Sequence, residues 1–149
     1  MIKNILLPLQ GNMAEWDTGV FQLACTLTKR TKGKIQAIYI IEVSRDLPVD
    51  AEINAETKRA EEVLSLAESL AREAKCPLEA EIFQARRAGP AIIQQTINKE
   101  IDAIVMSFDY EHDPTRFQIN DTARYILKNA RCPVLLWQNR RPERFPIEG

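Results

Sequence analysis

The sequence predicts an α/β domain built as a single open sheet of five parallel strands with helices on both faces. Three observations predict it. Short apolar runs alternate with segments whose apolar residues recur every three or four positions, giving the order β-α-β-α-β-α-β-α-β. The first run is almost continuously apolar, as in strands covered on both faces. The chain of 149 residues suits one domain, long enough to bury roughly 70% of its unfolded surface. Parallel strands joined this way need right-handed crossovers.

Each element has a local reason. Ile2 to Leu9 is the first strand, ended by Pro8 and Gly11. Asn12 can cap the next helix with Glu15 three residues on, and Trp16, Val20, Leu23, Ala24 and Leu27 line one face of it. Gly33 stands where the C′ residue of that helix belongs. Lys34 to Val43 is a second buried strand, and Ser44 to Asp50 a loop around Pro48. Ala51 to Lys75 is the longest helix, with Ala60, Val63, Leu64, Ala67, Leu70, Ala71 and Ala74 as its apolar stripe and a solvated charged face opposite.

Leu78 to Ala85 alternates Ala80 and Ile82 with Glu79 and Glu81, which predicts an edge or half-exposed strand. Arg86 to Pro90 is a turn, with Pro90 in the first turn of a helix whose inner face is Ile92, Ile93, Thr96 and Ile97. Ala103 to Phe108 is the fourth strand. Asn120 caps a last helix carrying Ala123, Ile126, Leu127 and Ala130. Pro133 to Trp137 is the fifth strand. Residues 1–139 form the domain and residues 140–149 a C-terminal tail.

Composition excludes several classes. The net charge is −1 with both signs interspersed, so no nucleic-acid partner is expected. No run of 18 apolar residues is present, and no membrane partner is expected. The start of the chain enters a strand without a signal-peptide pattern, which makes the cytoplasm the default. Cys25, Cys76 and Cys132 fit neither a disulfide framework nor a zinc site by count or spacing. Cys25 reads as a small core residue, and Cys76 and Cys132 each precede a proline at the mouth of a strand.

Three stretches carry a resemblance. They are Ile5-Leu6-Leu7-Pro8-Leu9-Gln10-Gly11-Asn12; Gly89-Pro90-Ala91-Ile92-Ile93 leading to Ile101-Asp102-Ala103-Ile104-Val105-Met106; and Ala130-Arg131-Cys132-Pro133-Val134-Leu135. Together, in order, they resemble the universal stress protein family over roughly Met1 to Asn139. The resemblance implies a Rossmann-like, adenine-nucleotide-hydrolase-like sheet of strand order 3-2-1-4-5. It also implies a homodimer paired through the last strand, with Val134, Leu135, Leu136 and Trp137 at the seam. An edge strand this apolar wants covering.

The stretch from Asp102 to Asn129 is where chemistry would sit, because ligands of open parallel sheets bind at the carboxyl ends of strands. ATP-binding members of the family carry Gly-x2-Gly-x9-Gly-Ser/Thr there. Laid on this chain from Met106, the three glycines fall on Ser107, Tyr110 and Asn120, and the hydroxyl residue on Asp121. The Asp that follows the first-strand proline Pro8 in the family is Gln10. With Ile40, Met106 and Thr122 these are the position-equivalents of the family's nucleotide site, in degenerate form. Side chains at Tyr110 and Asn120 would occupy the space where phosphate oxygens meet backbone N–H groups. Asp109, Glu111, Asp113 and Asp121 oppose a triphosphate, each by about 1 kcal/mol at ~4 Å in water, against Arg116 alone.

The reading is therefore a cytoplasmic, non-catalytic regulatory or binding module in the stress response, without ATP, cofactor or metal. It would pair with itself and has room for an unknown protein partner. The alternatives are an ATP-binding switch or weak hydrolase with a diverged phosphate loop, and a small non-nucleotide ligand between Gln10, Ile40 and Met106. No Ser/His/Asp or Cys/His set has recognisable spacing. His112, the only histidine, reads as an exposed loop residue, with a pH-responsive or metal-touching role as the alternative. Tyr110 and Phe117 are expected to plug the former pocket or contact a partner. Arg86 and Arg87 read as solvated turn residues, with anion attraction as the alternative.

Overall fold

The structure is a computed structural model that describes residues 2–10, 18–108 and 121–138. Its elements run β1 (Asn4–Leu9), α1 (Gly19–Thr31), β2 (Lys34–Glu42), α2 (Asn54–Ala74), β3 (Leu78–Ala85), α3 (Ala88–Asn98), β4 (Ala103–Phe108), α4 (Asp121–Asn129) and β5 (Val134–Gln138). The five strands are all parallel, in the order β3-β2-β1-β4-β5. This is the expected doubly wound sheet.

Strand periodicity divides the core in two. Ile5, Leu7 and Leu9 of β1 and Ile35, Ala37, Tyr39 and Ile41 of β2 face α1 and α2, where they meet Val20, Phe21, Val63 and Ala67. Leu6, Ile38, Ile40, Ile104 and Met106 face α3 and α4, where they meet Ala88, Ile92, Ala123 and Ile126. β3 lies at one edge and is half-exposed throughout, as its alternating pattern predicted.

Several local expectations are corrected. The left-handed residue ending α1 is Lys32, with φ 57°, and not Gly33. Lys75 and Glu100 take the same conformation after α2 and α3. A side chain there costs about 1–2 kcal/mol, offset by the carbonyls each turn satisfies. Gly33 donates its N–H to Thr28 O at 2.9 Å and is needed for a different reason: the backbone of Lys3 lies against it. α2 starts at Asn54 rather than Ala51, because Leu47 N and Ala51 N bond Ser44 O and Pro48 O in tight turns that precede the helix. Ile97 belongs to no inner face and is 60% exposed, and Leu127 of α4 is 47% exposed. The Asn12 and Asn120 caps and Trp16 lie outside the described residues.

Cys25 and Cys76 are buried in the α1–α2 core beside Thr28, whose hydroxyl lies 3.4 Å from Cys76 Sγ. Burial, with the Cys76 thiol alongside, pushes the Cys25 thiol up to about 12, and burial also raises half-buried Cys132. Thiols so disposed stay protonated at neutral pH and behave as small apolar groups. Pro77 and Pro133, which follow Cys76 and Cys132, accept the Ile35 and Ile104 N–H groups with their carbonyls and so start the β2–β3 and β4–β5 ladders.

Asp102 fastens β4 to the start of β1. One carboxylate oxygen accepts the N–H groups of Asn4 at 2.8 Å and Lys3 at 2.9 Å, and Asp102 N donates to Asn4 O at 2.8 Å. The two backbone donors, Asn4 first and then Lys3, hold its carboxyl below the usual carboxylate range. A carboxyl depressed in the folded state contributes stability that is full above its unfolded pKa of about 4 and is lost as pH falls through the folded pKa. Asp102→Asn is therefore expected to lower stability at neutral pH by about 1 kcal/mol in urea titrations. The gap to the parent chain should close as the pH falls through the depressed range of the folded carboxyl. An unchanged gap at acid pH would show that the charge is not what matters.

Candidate functional site

The strand order reverses direction at β1, so the carboxyl ends of β1 and β4 flank the switch point where open parallel sheets bind ligands. The chain opens a gap there by a simple device. Asn4 O receives the Asp102 N–H, so the polar groups of Asn4 face β4. The period of two puts the backbone of Leu6 and Pro8 on the same side. Proline has no N–H to donate. The β1–β4 ladder accordingly registers only Ile5 with Ala103 and Leu6 with Ile104, whereas β1–β2 pairing runs from Asn4 to Leu9. A proline is rare in a central strand; here it sits where the ladder has already ended.

The predicted site residues separate into two groups. Pro8, Ile40 and Met106 are buried on the α3–α4 face of the sheet, with Ile40 and Met106 part of its core. Gln10 is exposed just beyond β1. Ser107 is half-buried and registers with Trp137 of β5, which places it on the α1–α2 side of the sheet. Asp121 is the exposed first residue of α4, followed by half-buried Thr122. Tyr110 and Asn120 lie outside the described residues, as do His112, Arg116 and Phe117.

Two helix starts at this end carry carboxylates. Asp121 puts a carboxylate in the first turn of α4, the position that the helix dipole would otherwise offer to a phosphate. Glu42 does the same at α3, where its Oε2 accepts the Ala88 N–H at 3.0 Å. Both helices that begin beside the switch point on this face are thus supplied with side-chain negative charge from within the chain.

The arginines of the β3–α3 turn have structural work that the sequence does not reveal. The Arg86 guanidinium donates to Ser44 O at 2.5 Å and Leu47 O at 2.6 Å, and lies 3.5 Å from Val43 O. Gln84 donates to Val49 O and Ala51 O at 2.9 and 2.8 Å. Together they pin the loop between β2 and α2 to the end of β3. Arg87 lies over the Tyr125 ring, 5.5 Å from its centroid. Neither arginine is simply a solvated turn residue. The partners of Arg86 and Gln84 are more than thirty positions away in sequence, and no spacing rule connects them. Among the described residues no group of three or more His, Cys, Asp or Glu is placed to hold a metal ion.

The model of the family described as "Universal stress protein family" matches residues 1–137. The chain belongs to the universal stress protein family. It is similar to a universal stress protein of Methanocaldococcus jannaschii, 25% identical over 142 residues that cover 91% of this chain and 82% of the relative. Among solved structures it superposes on a universal stress protein of Archaeoglobus fulgidus with a TM-score of 0.74 and 17% identity, over 91% of this chain and 98% of the other. A universal stress protein structure from the same organism, in complex with dAMP, gives 0.70 and 17% over 91% and 98%. At these identities the superpositions establish the fold. Among the described residues no helix is long and apolar enough to cross a membrane.

Proposed function

We propose that this chain is a universal stress protein that works as a non-catalytic, homodimeric binding or regulatory module of the cytoplasm and does not hold ATP. One observation carries the reading. No glycine occurs between Gly89 and Gly149, so every glycine position of the family's phosphate-binding pattern holds a side chain, and its hydroxyl position holds Asp121. Close approach of backbone N–H groups to an anion needs bare backbone. Carboxylates at the starts of α3 and α4 add repulsion. Titration of the protein with ATP and Mg²⁺ in a calorimeter is expected to give no binding tighter than about 1 mM, where the binding free energy is only about 4 kcal/mol. Micromolar binding would overturn the reading.

A second reading, a nucleotide switch or weak hydrolase with an altered site, is favoured by one finding: structural neighbours carry dAMP, AMP and cAMP. Native mass spectrometry of the purified protein separates the two. Bare polypeptide supports the first, and a co-purified nucleotide the second.

The self-association rests on β5. It is the last strand of the sheet, and Val134, Leu135, Leu136 and Trp137 are each only partly buried. Side chains of both faces are therefore open to a second copy across a two-fold axis. Sedimentation equilibrium is expected to show a dimer at micromolar concentration, and Trp137→Arg to weaken it by roughly tenfold or more, the effect of losing one well-buried anchor. A parent chain that stays monomeric at every concentration would remove this part of the proposal.

A further inference from the structure

Read along the chain, positive charges are scattered; folded, half of them gather at one end. In a parallel sheet with crossover helices, every helix ends, and every strand begins, at the same end of the domain. Lys29, Arg30 and Lys32 close α1, Arg72 and Lys75 close α2, and Lys99 follows α3. Lys128 and Arg131 close α4, while Lys3 and Lys34 open β1 and β2. These are ten of the chain's twenty Lys and Arg residues. The carboxylates of the same end are Glu68, Glu73, Glu79, Glu81, Glu100 and Asp102, with Glu68 lining a surface hollow together with Arg72 and Lys75.

Pairing removes little of the excess. Lys34 bonds Glu79 at 3.1 Å and Lys99 bonds Glu81. Asp102 is taken up by backbone N–H groups. Among the described residues the other eight cations form no ion pair. Helix dipoles account for cations at helix C-termini, yet four helix ends contribute only about half a negative charge each. Roughly −2 from dipoles against a side-chain excess of four leaves the surface positive. The whole chain is −1, so the residues outside this end are together net acidic.

Two further features select the partner. Ile97 and Leu127, 60% and 47% exposed, stand in the last turns of α3 and α4 beside Lys99 and Lys128. Exposed aliphatic side chains next to lysines suit a lipid surface, where the charges meet anionic headgroups and the apolar groups enter the boundary below them. They add nothing against phosphodiester backbone. Among the described residues the basic ones of this end are interleaved with no exposed aromatic side chain on which bases could stack. The surface is also a broad one, the row of strand starts from β3 to β5 spanning about 19 Å at ~4.8 Å per strand.

The lack of a long apolar run speaks against crossing a membrane and not against lying on one, and we propose that the basic end of the sheet, with Ile97 and Leu127, is a docking surface for an anionic lipid bilayer, on which the protein sits peripherally with its switch-point end turned to solvent.

The test is co-sedimentation of the full chain with vesicles of phosphatidylcholine alone and of phosphatidylcholine with roughly a third phosphatidylserine. Binding is expected to the anionic vesicles only, and to fall as ionic strength rises through the physiological range. Lys3→Gln, Lys29→Gln, Lys128→Gln and Arg131→Gln are each expected to weaken it by about fivefold. Ile97→Ser with Leu127→Ser is expected to weaken binding at physiological salt while leaving the circular dichroism of the folded chain unchanged, since both side chains are exposed. Equal partition to neutral and anionic vesicles, or no binding of the parent chain to either at low salt, would overturn the proposal. So would preferential binding of a DNA duplex that the Ile97→Ser and Leu127→Ser changes leave untouched, because the surface would then be a phosphodiester site.

Discussion

Gly33→Ala is expected to destabilise the fold by about 3 kcal/mol or more, among the larger effects a single methyl can have. A Cβ built on Gly33 lies 1.9 Å from Lys3 O, 2.7 Å from Lys3 C and 2.8 Å from Lys3 Cα. All three atoms are backbone, and Lys3 O is the acceptor of the Lys34 N–H at 2.9 Å, the bond that starts the β1–β2 ladder. The methyl therefore has no flexible neighbour to push aside, and room for it comes only from parting two central strands. Chemical denaturation should show the midpoint falling, and the melting temperature should drop by roughly 10 °C for a chain of this size. Lys32→Gly is the informative control. It removes a side chain from a left-handed residue one position earlier and is expected to be neutral or stabilising by up to about 1 kcal/mol. If Gly33→Ala were as mild as that control, close approach of the Lys3 backbone would not be the reason for glycine.

Gly89→Ala should also destabilise, by about 1–3 kcal/mol, against the usual rule that alanine improves a helix by nearly 1. Gly89 is the buried second residue of α3, and an added Cβ would lie 2.8 Å from Cδ1 and Cγ of Tyr125 and 3.0 Å from its Cβ. The ring cannot simply rotate away, because the overlap includes the atom that fixes it to α4. Its other contact is Arg87, which sits over it. Repeating the substitution in a Tyr125→Ala background should abolish the penalty or reverse its sign, and the cycle measures the α3–α4 contact directly. A penalty that persists without the ring would place its cause elsewhere.

Most of the architecture was legible because it rests on periodicity. The apolar run of β1, the stripe of α2 and the alternation of β3 each report their surroundings within a few residues, and the order of elements then restricts the topology. What escaped was set by partners distant in sequence. Gly33 looked like a helix terminator, and its real constraint is the backbone of Lys3, thirty positions earlier. Ile97 continued the apolar spacing of α3 from Ile93, but five residues beyond buried Ile92 it stands about 140° round the helix and is left in solvent. Arg86 reads as a solvated turn residue and nothing in the spacing marks Glu42; folding turns one into a clip on a loop and the other into the cap of a helix. Of the predicted nucleotide positions, Pro8, Ile40 and Met106 share one face of the sheet and Ser107 lies on the other.

The early end of the β1–β4 ladder has a mechanical meaning. Three strands on one side and two on the other are stitched through register pairs confined to the lower part of the sheet, Ile5 with Ala103 and Leu6 with Ile104. The domain is in effect two leaves sharing a short spine. What the spine lacks in hydrogen bonds is made up by packing: Val105 and Trp137 of the smaller leaf share one core with Leu7 and Ala37, and Ile104 and Met106 share the other with Leu6 and Ile38, so apolar contact on both faces holds the leaves together.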